Sequence, residues 1–352
     1  MNTISVIGGG ISALYYKYKN LDKDIIVYES SDRFGGRLMT MNHYGIDTEY
    51  GALRYEWGYQ PTLESLLYEL DVDVISFPSY CGNSCEHITF IREVCEYIWS
   101  LYFHRDVNIM DITNQDMREI HKEPWLLYND KHVYIYDINF DEYIYYVNNP
   151  EWCDKMKIMD HDIRTFPING WSLLLWVLRW TKLLISNHEI KTVRGGNQEI
   201  ISSLMKKIPS DDVQLGYKLY KIDKISDYYK LYFTNGEVRL TREIMLTIPI
   251  DKINKIEYNF PEKTRYILSK MNPYKIGRIF IYVKDPFWVE EQFHKYQNYK
   301  SEELNTREVY YYRRGDIGLI MLYFDEIYFK FWKHKSVDEI REHIIGCGFC
   351  NI

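Results

Sequence analysis

A glycine triplet near the start of the chain, followed after about twenty residues by a carboxylate, has the types and spacing to hold a dinucleotide. Gly8-Gly9-Gly10-Ile11-Ser12-Ala13 follows the apolar run Ile4 to Ile7 and opens a helical pattern from Ser12 to Lys19. Gly8 permits a tight turn, Gly10 lets backbone approach a pyrophosphate, and Ala13 lets helix and strand pack closely. A helix that starts here turns free N–H groups and the positive end of its dipole toward an anion, which brings the main chain of Ile11 and Ser12 into the site. Asp24 to Glu29 reads as a second strand ending on an acid, with Ser30 beside it. A carboxylate there accepts hydrogen bonds from ribose hydroxyls. The glycines alone could be a mere turn; strand, turn, helix, strand and acid in that order predict a dinucleotide site.

What comes next in the chain narrows the cofactor. Glu29-Ser30-Ser31-Asp32-Arg33-Phe34-Gly35-Gly36-Arg37 resembles the E-x-x-x-R-x-G-G-R signature of the flavin-dependent amine oxidase superfamily. That resemblance implies FAD, with the glycines turning the chain beneath the pyrophosphate and Arg37 helping to neutralise it. Glu49-Tyr50-Gly51-Ala52-Leu53-Arg54 is similar to the E-x-G-A-M-R segment of L-amino-acid oxidases and tryptophan monooxygenases, the branch closest in motif. In that branch the backbone corresponding to Gly51, Ala52, Leu53 and Arg54 lies by the flavin, and the arginine pairs with the substrate carboxylate. A planar guanidinium can grip a carboxylate bidentately, a contact of about 1.5–3 kcal/mol. Val193 to Gln198 resembles the family's return to its FAD domain. Lys218 to Ile222 resembles the strand whose backbone meets the adenine, which puts that contact at Leu219, and Met245 to Pro249 is similar to the strand after it.

Arg278 to Trp288 resembles a family strand that starts with a lysine and ends in P-F-W. The family lysine holds a water against flavin N5; the position here is Arg278, which stays protonated at ordinary pH and cannot serve as a base. That departure argues against efficient reoxidation by oxygen. Tyr323 ends a strand similar to one that brings an aromatic wall to the substrate. The acidic ribitol-binding segment and second glycine-rich helix start of the family do not occur after Phe324. The expectation is therefore loose FAD binding and low turnover, restored by a homo-oligomer or by a partner that supplies the segment.

The resemblance implies oxidation of a C–N bond of an amine or L-amino acid, with hydride transfer to flavin N5 and molecular oxygen as acceptor. Alternatives are another flavoprotein on the same scaffold, of desaturase, porphyrinogen oxidase or mutase type, and a decayed oxidase kept for binding. His161, between Asp160 and Asp162, could assist a proton transfer or be structural.

These residues need a frame to hold them. A chain of 352 residues suggests two domains. The expected fold is α/β, a Rossmann-like FAD-binding domain over 1–60 and 190–265, interleaved with an α+β substrate domain over 61–189 and 266–340, with 341–352 a tail. Pro61 to Glu69, Ser172 to Ile185, Gln198 to Lys207 and Val337 to Ile345 read as helices. Val213 to Leu215, Lys218 to Ile222, Tyr229 to Phe233, Ile244 to Ile248, Ile279 to Val283 and Gly318 to Phe324 read as strands. Asp71 to Trp171 is weakly periodic and reads as a mixed insertion.

A formal charge of −7 with no long basic run excludes a nucleic-acid partner. Trp171 to Ile185 carries Arg179 and Lys182 and is too short to span a membrane. The start of the chain carries no export signal, so a cytoplasmic location is expected. Six cysteines are expected as reduced thiols, and Cys347-Gly348-Phe349-Cys350 has redox or zinc spacing without a second pair. The 34 tyrosines reflect an AT-rich genome rather than a function.

Overall fold

The computed structural model describes residues 2–78, 85–128, 131–136, 138–158, 172–185, 189–271, 273, 275–289, 294–295 and 301–347. The chain divides into two compact units: Met1–Tyr55, Thr62–Ile75 and Thr192–Tyr274 form one, and Glu56–Pro61, Ser76–Lys191 and Lys275–Ile352 form the other.

The first unit is organised on a six-stranded sheet in the order Val213–Gln214, Ile25–Tyr28, Asn2–Ile7, Val238–Leu246, Tyr228–Phe233, Leu219–Ile225. The first four strands run parallel. The other two are antiparallel. Ile4, Val6 and Ile7, with Ile25, Val27 and Tyr28 in the neighbouring strand, are buried, so successive positions are apolar on both faces as expected of a covered parallel sheet. The helix Ile11–Tyr18 buries Ala13, Leu14 and Lys17. The Lys17 ammonium pairs with Asp212 at 2.8 Å and donates to the Lys23 carbonyl at 3.1 Å, which satisfies a charge that would be costly alone. Thr40–His43 and Ile46–Glu49 form a hairpin whose two-residue turn, Tyr44 (φ 52°) and Gly45 (φ 78°), matches the right-handed strand twist.

The second unit has two cores. In the helical one, Cys85–Phe103 packs with Leu173–Ile185 around Phe90, Val94, Ile98, Trp99, Trp176 and Val177. Trp99 Nε1 donates to Thr181 Oγ1 at 2.8 Å, and Phe140 stacks on Trp176 at 3.9 Å. Burial pushes the Cys95 thiol well above its usual range. The other core lies under an antiparallel sheet ordered Ile276–Lys284, Ile317–Asp325, Glu308–Arg314, His294–Lys295. Ile279, Ile281, Val283, Ile320 and Leu322 pack there with Tyr328, Trp332 and Ile344 of the helices Glu326–Trp332 and Val337–Gly346. Side chains alternate along a strand, so Arg278, Phe280 and Tyr282 stand on the opposite face.

The parallel βαβ opening, the interleaved sheet and the α/β class agree with the sequence reading. Three features differ from it. The segment read as a mixed insertion contains the helices Cys85–Phe103, Asn114–Lys122, Phe140–Val147 and Pro150–Ile158 and the hairpin Trp125–Tyr128 with Lys131–Tyr134. Its first helix is rich in aromatic and β-branched residues of weak helix propensity, and packing overrides that preference. The strand expected from Ile244 begins at Val238, because it first pairs with Tyr228–Phe233 as an exposed meander in which charged residues mask the pattern. Glu308–Arg314, unassigned from sequence, is a full strand between two others.

Candidate functional site

The glycine triplet joins the first strand to the helix Ile11–Tyr18. Gly8 has φ +105°, and a Cβ on it would come within 2.8 Å of Ile248, so only glycine fits. Gly10 differs. A Cβ there would meet nothing within 4 Å, so the space in front of its backbone is open. Gly10 is also the N-cap, without a side-chain capping bond, and the first helical turn holds no acid. Among the described residues no side chain caps this helix start, which leaves the amides of Ile11, Ser12 and Ala13 to an anion, and Ser12 is exposed.

Glu29 is buried at the end of Ile25–Tyr28. Its Oε2 accepts the Gly9 N–H at 2.6 Å, while Oε1 accepts the Ser31 N–H at 2.8 Å, the Ser31 hydroxyl at 2.9 Å and the Ser30 hydroxyl at 3.1 Å. Burial alone raises this carboxyl, but the Gly9 and Ser31 amides and the two hydroxyls outweigh it and hold it below the usual carboxylate range. It is an ionised acceptor at neutral pH. Glu29 also ties down the strand beyond it, since its carbonyl accepts the Tyr217 N–H at 2.7 Å. Leu219 follows at the start of Leu219–Ile225, buried with Tyr28 and Phe233.

The Gly35-Gly36 turn closes over the triplet. The Gly35 N–H donates to the Gly9 carbonyl at 2.8 Å, and Gly35 (φ +115°) and Gly36 (φ +54°) reverse the chain. Arg33 holds that turn by donating to the carbonyls of Gly36 at 2.7 Å, Leu38 at 3.1 Å and Phe34 at 3.2 Å. The Arg37 side chain is exposed, and its carbonyl accepts the Ala52 N–H at 2.8 Å. Gly51 lies so close to this carbonyl that a Cβ would sit 1.8 Å from its oxygen.

A buried polar clasp holds Gly51 to Arg54. Asn197 Nδ2 donates to the carbonyls of Ala52 at 2.8 Å and Leu53 at 3.2 Å, and Thr192 Oγ1 donates to Leu53 at 2.7 Å. The Asn197 amide donates to Glu49 Oε1 at 2.5 Å, which also accepts from the Thr40 hydroxyl at 3.0 Å. Leu53 is buried, Ala52 exposed and Arg54 half-buried. Sequence reasoning assigned no role to Arg33, Glu49, Thr192 or Asn197. Arg33 and Glu49 stood inside the quoted motifs, and Asn197 follows the Gly195-Gly196 pair.

In the second unit Arg278 and Tyr323 are register partners on adjacent strands, with the guanidinium 4.8 Å from the ring centroid. A second guanidinium, Arg307, lies 4.2 Å from the same ring and pairs with Asp325 at 2.8 Å. Arg307, Glu308 and Asp325 are all buried and were not singled out from sequence. His161 and Cys350 lie outside the described residues. Among the described residues no group of three or more His, Cys, Asp or Glu could hold a metal, and no helix is long and apolar enough to cross a membrane.

The first unit thus offers a dinucleotide what it needs: an open backbone approach at Gly10, an uncapped helix start and an ionised buried acid. Comparison with known proteins agrees. Residues 155–346, more than half of the chain, match the model described as flavin containing amine oxidoreductase, and residues 6–70 match an NAD(P)-binding Rossmann-like domain. Aplysianin-A of Aplysia kurodai is 22% identical over 343 residues, covering 82% of this chain; the chain spans 60% of that relative's length. A redesigned putrescine oxidase superposes with TM-score 0.72 at 15% identity, covering 98% of this chain and 80% of the other. A fatty acid isomerase from P. acnes does so with TM-score 0.63 at 14% identity, covering 98% and 81%. Likeness at these identities shows the fold.

Proposed function

Because this chain belongs to the flavin containing amine oxidoreductase family, we propose that it is an FAD-dependent enzyme that oxidises the C–N bond of an amine or L-amino acid. The observation that carries this reading is the Gly9 to Glu29 hydrogen bond beside the open face of Gly10. The backbone of Gly8 to Ala13 and the Arg37 guanidinium would hold the pyrophosphate. Glu29, with the exposed Ser30 beside it, would take the ribose hydroxyls, and the Leu219 backbone the adenine. Bound FAD supplies the hydride acceptor, and the protein's work is to bind, orient and exclude water.

Arg54 is the substrate anchor in this reading, an arginine gripping a carboxylate in a fixed fork. Arg278 holds a permanent positive charge at the family's lysine position and moves no proton, and Tyr323 is an aromatic wall. Oxygen is the acceptor in the oxidase reading. The redesigned putrescine oxidase and the fatty acid isomerase share the fold, so the scaffold alone does not choose the chemistry. Arg278 in place of a lysine favours, as a second reading, a flavoprotein that passes electrons elsewhere than to oxygen. A soluble, cytoplasmic enzyme, alone or as a homo-oligomer, is the proposed setting.

The test is an FAD titration followed by anaerobic mixing with amino acids and amines. Flavin binding with bleaching by either class supports the reading. A protein that takes up no FAD overturns it.

A further inference from the structure

Tyr323 has cations on both sides. Its strand, Ile317–Asp325, runs between Ile276–Lys284 and Glu308–Arg314, and the register sets Arg278, Tyr323 and Glu308 in one row. The guanidiniums of Arg278 and Arg307 lie 4.8 Å and 4.2 Å from the ring centroid. Arg307 is itself fixed: it is 1% exposed, Nη1 donates to Asp325 Oδ1 at 2.8 Å, and Nη2 lies 3.8 Å from Glu308 Oε2. The Tyr323 carbonyl accepts the Arg307 N–H at 2.8 Å and the Thr306 hydroxyl at 2.7 Å.

A buried ion pair is a poor device for stability alone, because desolvation cancels much of its attraction and apolar residues of similar volume often do as well. What the pair does here is hold a flat cation against one aromatic ring, and that ring touches Arg278. A guanidinium over a ring face is bound by the ring quadrupole, more firmly when water is absent. We infer that Arg307 is a positioning residue for Arg278, acting through the ring of Tyr323, with Asp325 and Glu308 as its counter-charges. The two cations and two anions of this cluster sum to zero, which favours the charged form of the half-buried Arg278. This inference rests on the proposed function, which gives Arg278 the place of the family's lysine.

Sulfite, a small anion that bleaches flavin absorption on binding, reads the positive charge at the cofactor by equilibrium titration of the FAD-loaded protein. Arg278→Met should weaken sulfite by about tenfold or more, the loss of a charge-assisted contact. Arg307→Lys keeps the charge and the Asp325 pair but loses the flat stack, and should weaken sulfite by about threefold to tenfold, the size of a cation–π contact, with an unchanged urea midpoint. Tyr323→Leu, which leaves both arginines in place, should do the same. The Arg278→Met, Arg307→Lys double variant should be no weaker than Arg278→Met alone, because the two act in series.

Wild-type sulfite affinity in both Arg307→Lys and Tyr323→Leu, or losses that multiply in the double variant, would overturn the inference. FAD uptake with no effect of Arg278→Met overturns it too but leaves the proposed function standing. Failure of the wild type to bind FAD overturns both.

Discussion

The Glu29 carboxylate accepts the Gly9 amide across 2.6 Å, so the acid that ends the second strand directly braces the turn that follows the first. In the proposed reading one carboxylate then serves two tasks, fixing the loop and presenting a charged acceptor to a ribose. Replacing it should show both losses. Glu29→Gln should weaken FAD by about 1.5–3 kcal/mol, the range for hydrogen bonds to a charged group, measured by titration. Unchanged affinity would mean that the ribose lies elsewhere.

The same residue sets a pH dependence. Its folded-state affinity for protons is below that of the unfolded chain, so its stabilisation is complete above the ordinary carboxylate range and disappears as pH falls through its lower folded value. The stability gap between wild type and Glu29→Gln should therefore be constant near neutrality and shrink below about pH 4, the ordinary carboxylate value. Denaturant midpoints of both proteins at several pH values check this. A gap that widens on acidification would put the sign, and the ionised state, in error.

Gly10 and Gly51 separate binding from folding. A Cβ at Gly10 meets open space and its φ of −76° suits any residue, whereas a Cβ at Gly51 would collide with the Arg37 carbonyl at 1.8 Å. Gly10→Ala should leave the urea midpoint nearly unchanged yet lower FAD affinity, because the methyl group fills the space a pyrophosphate needs. Gly51→Ala should cost about 1–3 kcal/mol or more of stability, as overpacking does. Equal destabilisation by the two would mean that the space at Gly10 is not real.

Asn197 shows which parts of the site a sequence hides. Gly8, Gly10 and Glu29 could be read because each answers a local demand, a positive φ, a close approach or a strand end, and the demands fall at fixed spacing. The Asn197 main-chain N–H donates to the Glu49 carboxylate across 148 positions and the Thr192 hydroxyl to the Leu53 carbonyl across 139, long-range bonds between side chain and backbone that leave no periodic trace. Arg307 and Asp325 were hidden for another reason: Glu308–Arg314 reads E-V-Y-Y-Y-R-R, which alternates too weakly to announce a strand. Without that strand Arg307 has no place beside Tyr323. Asn197→Ala should accordingly cost about 0.5–1.5 kcal/mol, the net worth of a lost hydrogen bond, because Thr192 still serves the Leu53 carbonyl and Ala52 is exposed, read from the urea midpoint.

If Arg54 is the substrate anchor, as proposed, it decides the substrate class. It follows Leu53, whose carbonyl is held by Thr192 and Asn197, so its backbone is set by a rigid clasp rather than by a free loop. In the proposed reading the Arg54 side chain pairs with the substrate carboxylate from a backbone that is already fixed, so the contact carries little further ordering cost. Amino acids should therefore bleach the flavin anaerobically, while the corresponding decarboxylated amines should do so at least about tenfold less efficiently, the equivalent of 1.4 kcal/mol. Arg54→Met should remove the difference by slowing the amino acids alone. If both substrate classes reduce the flavin equally in wild type, the substrate is a simple amine and Arg54 serves the fold.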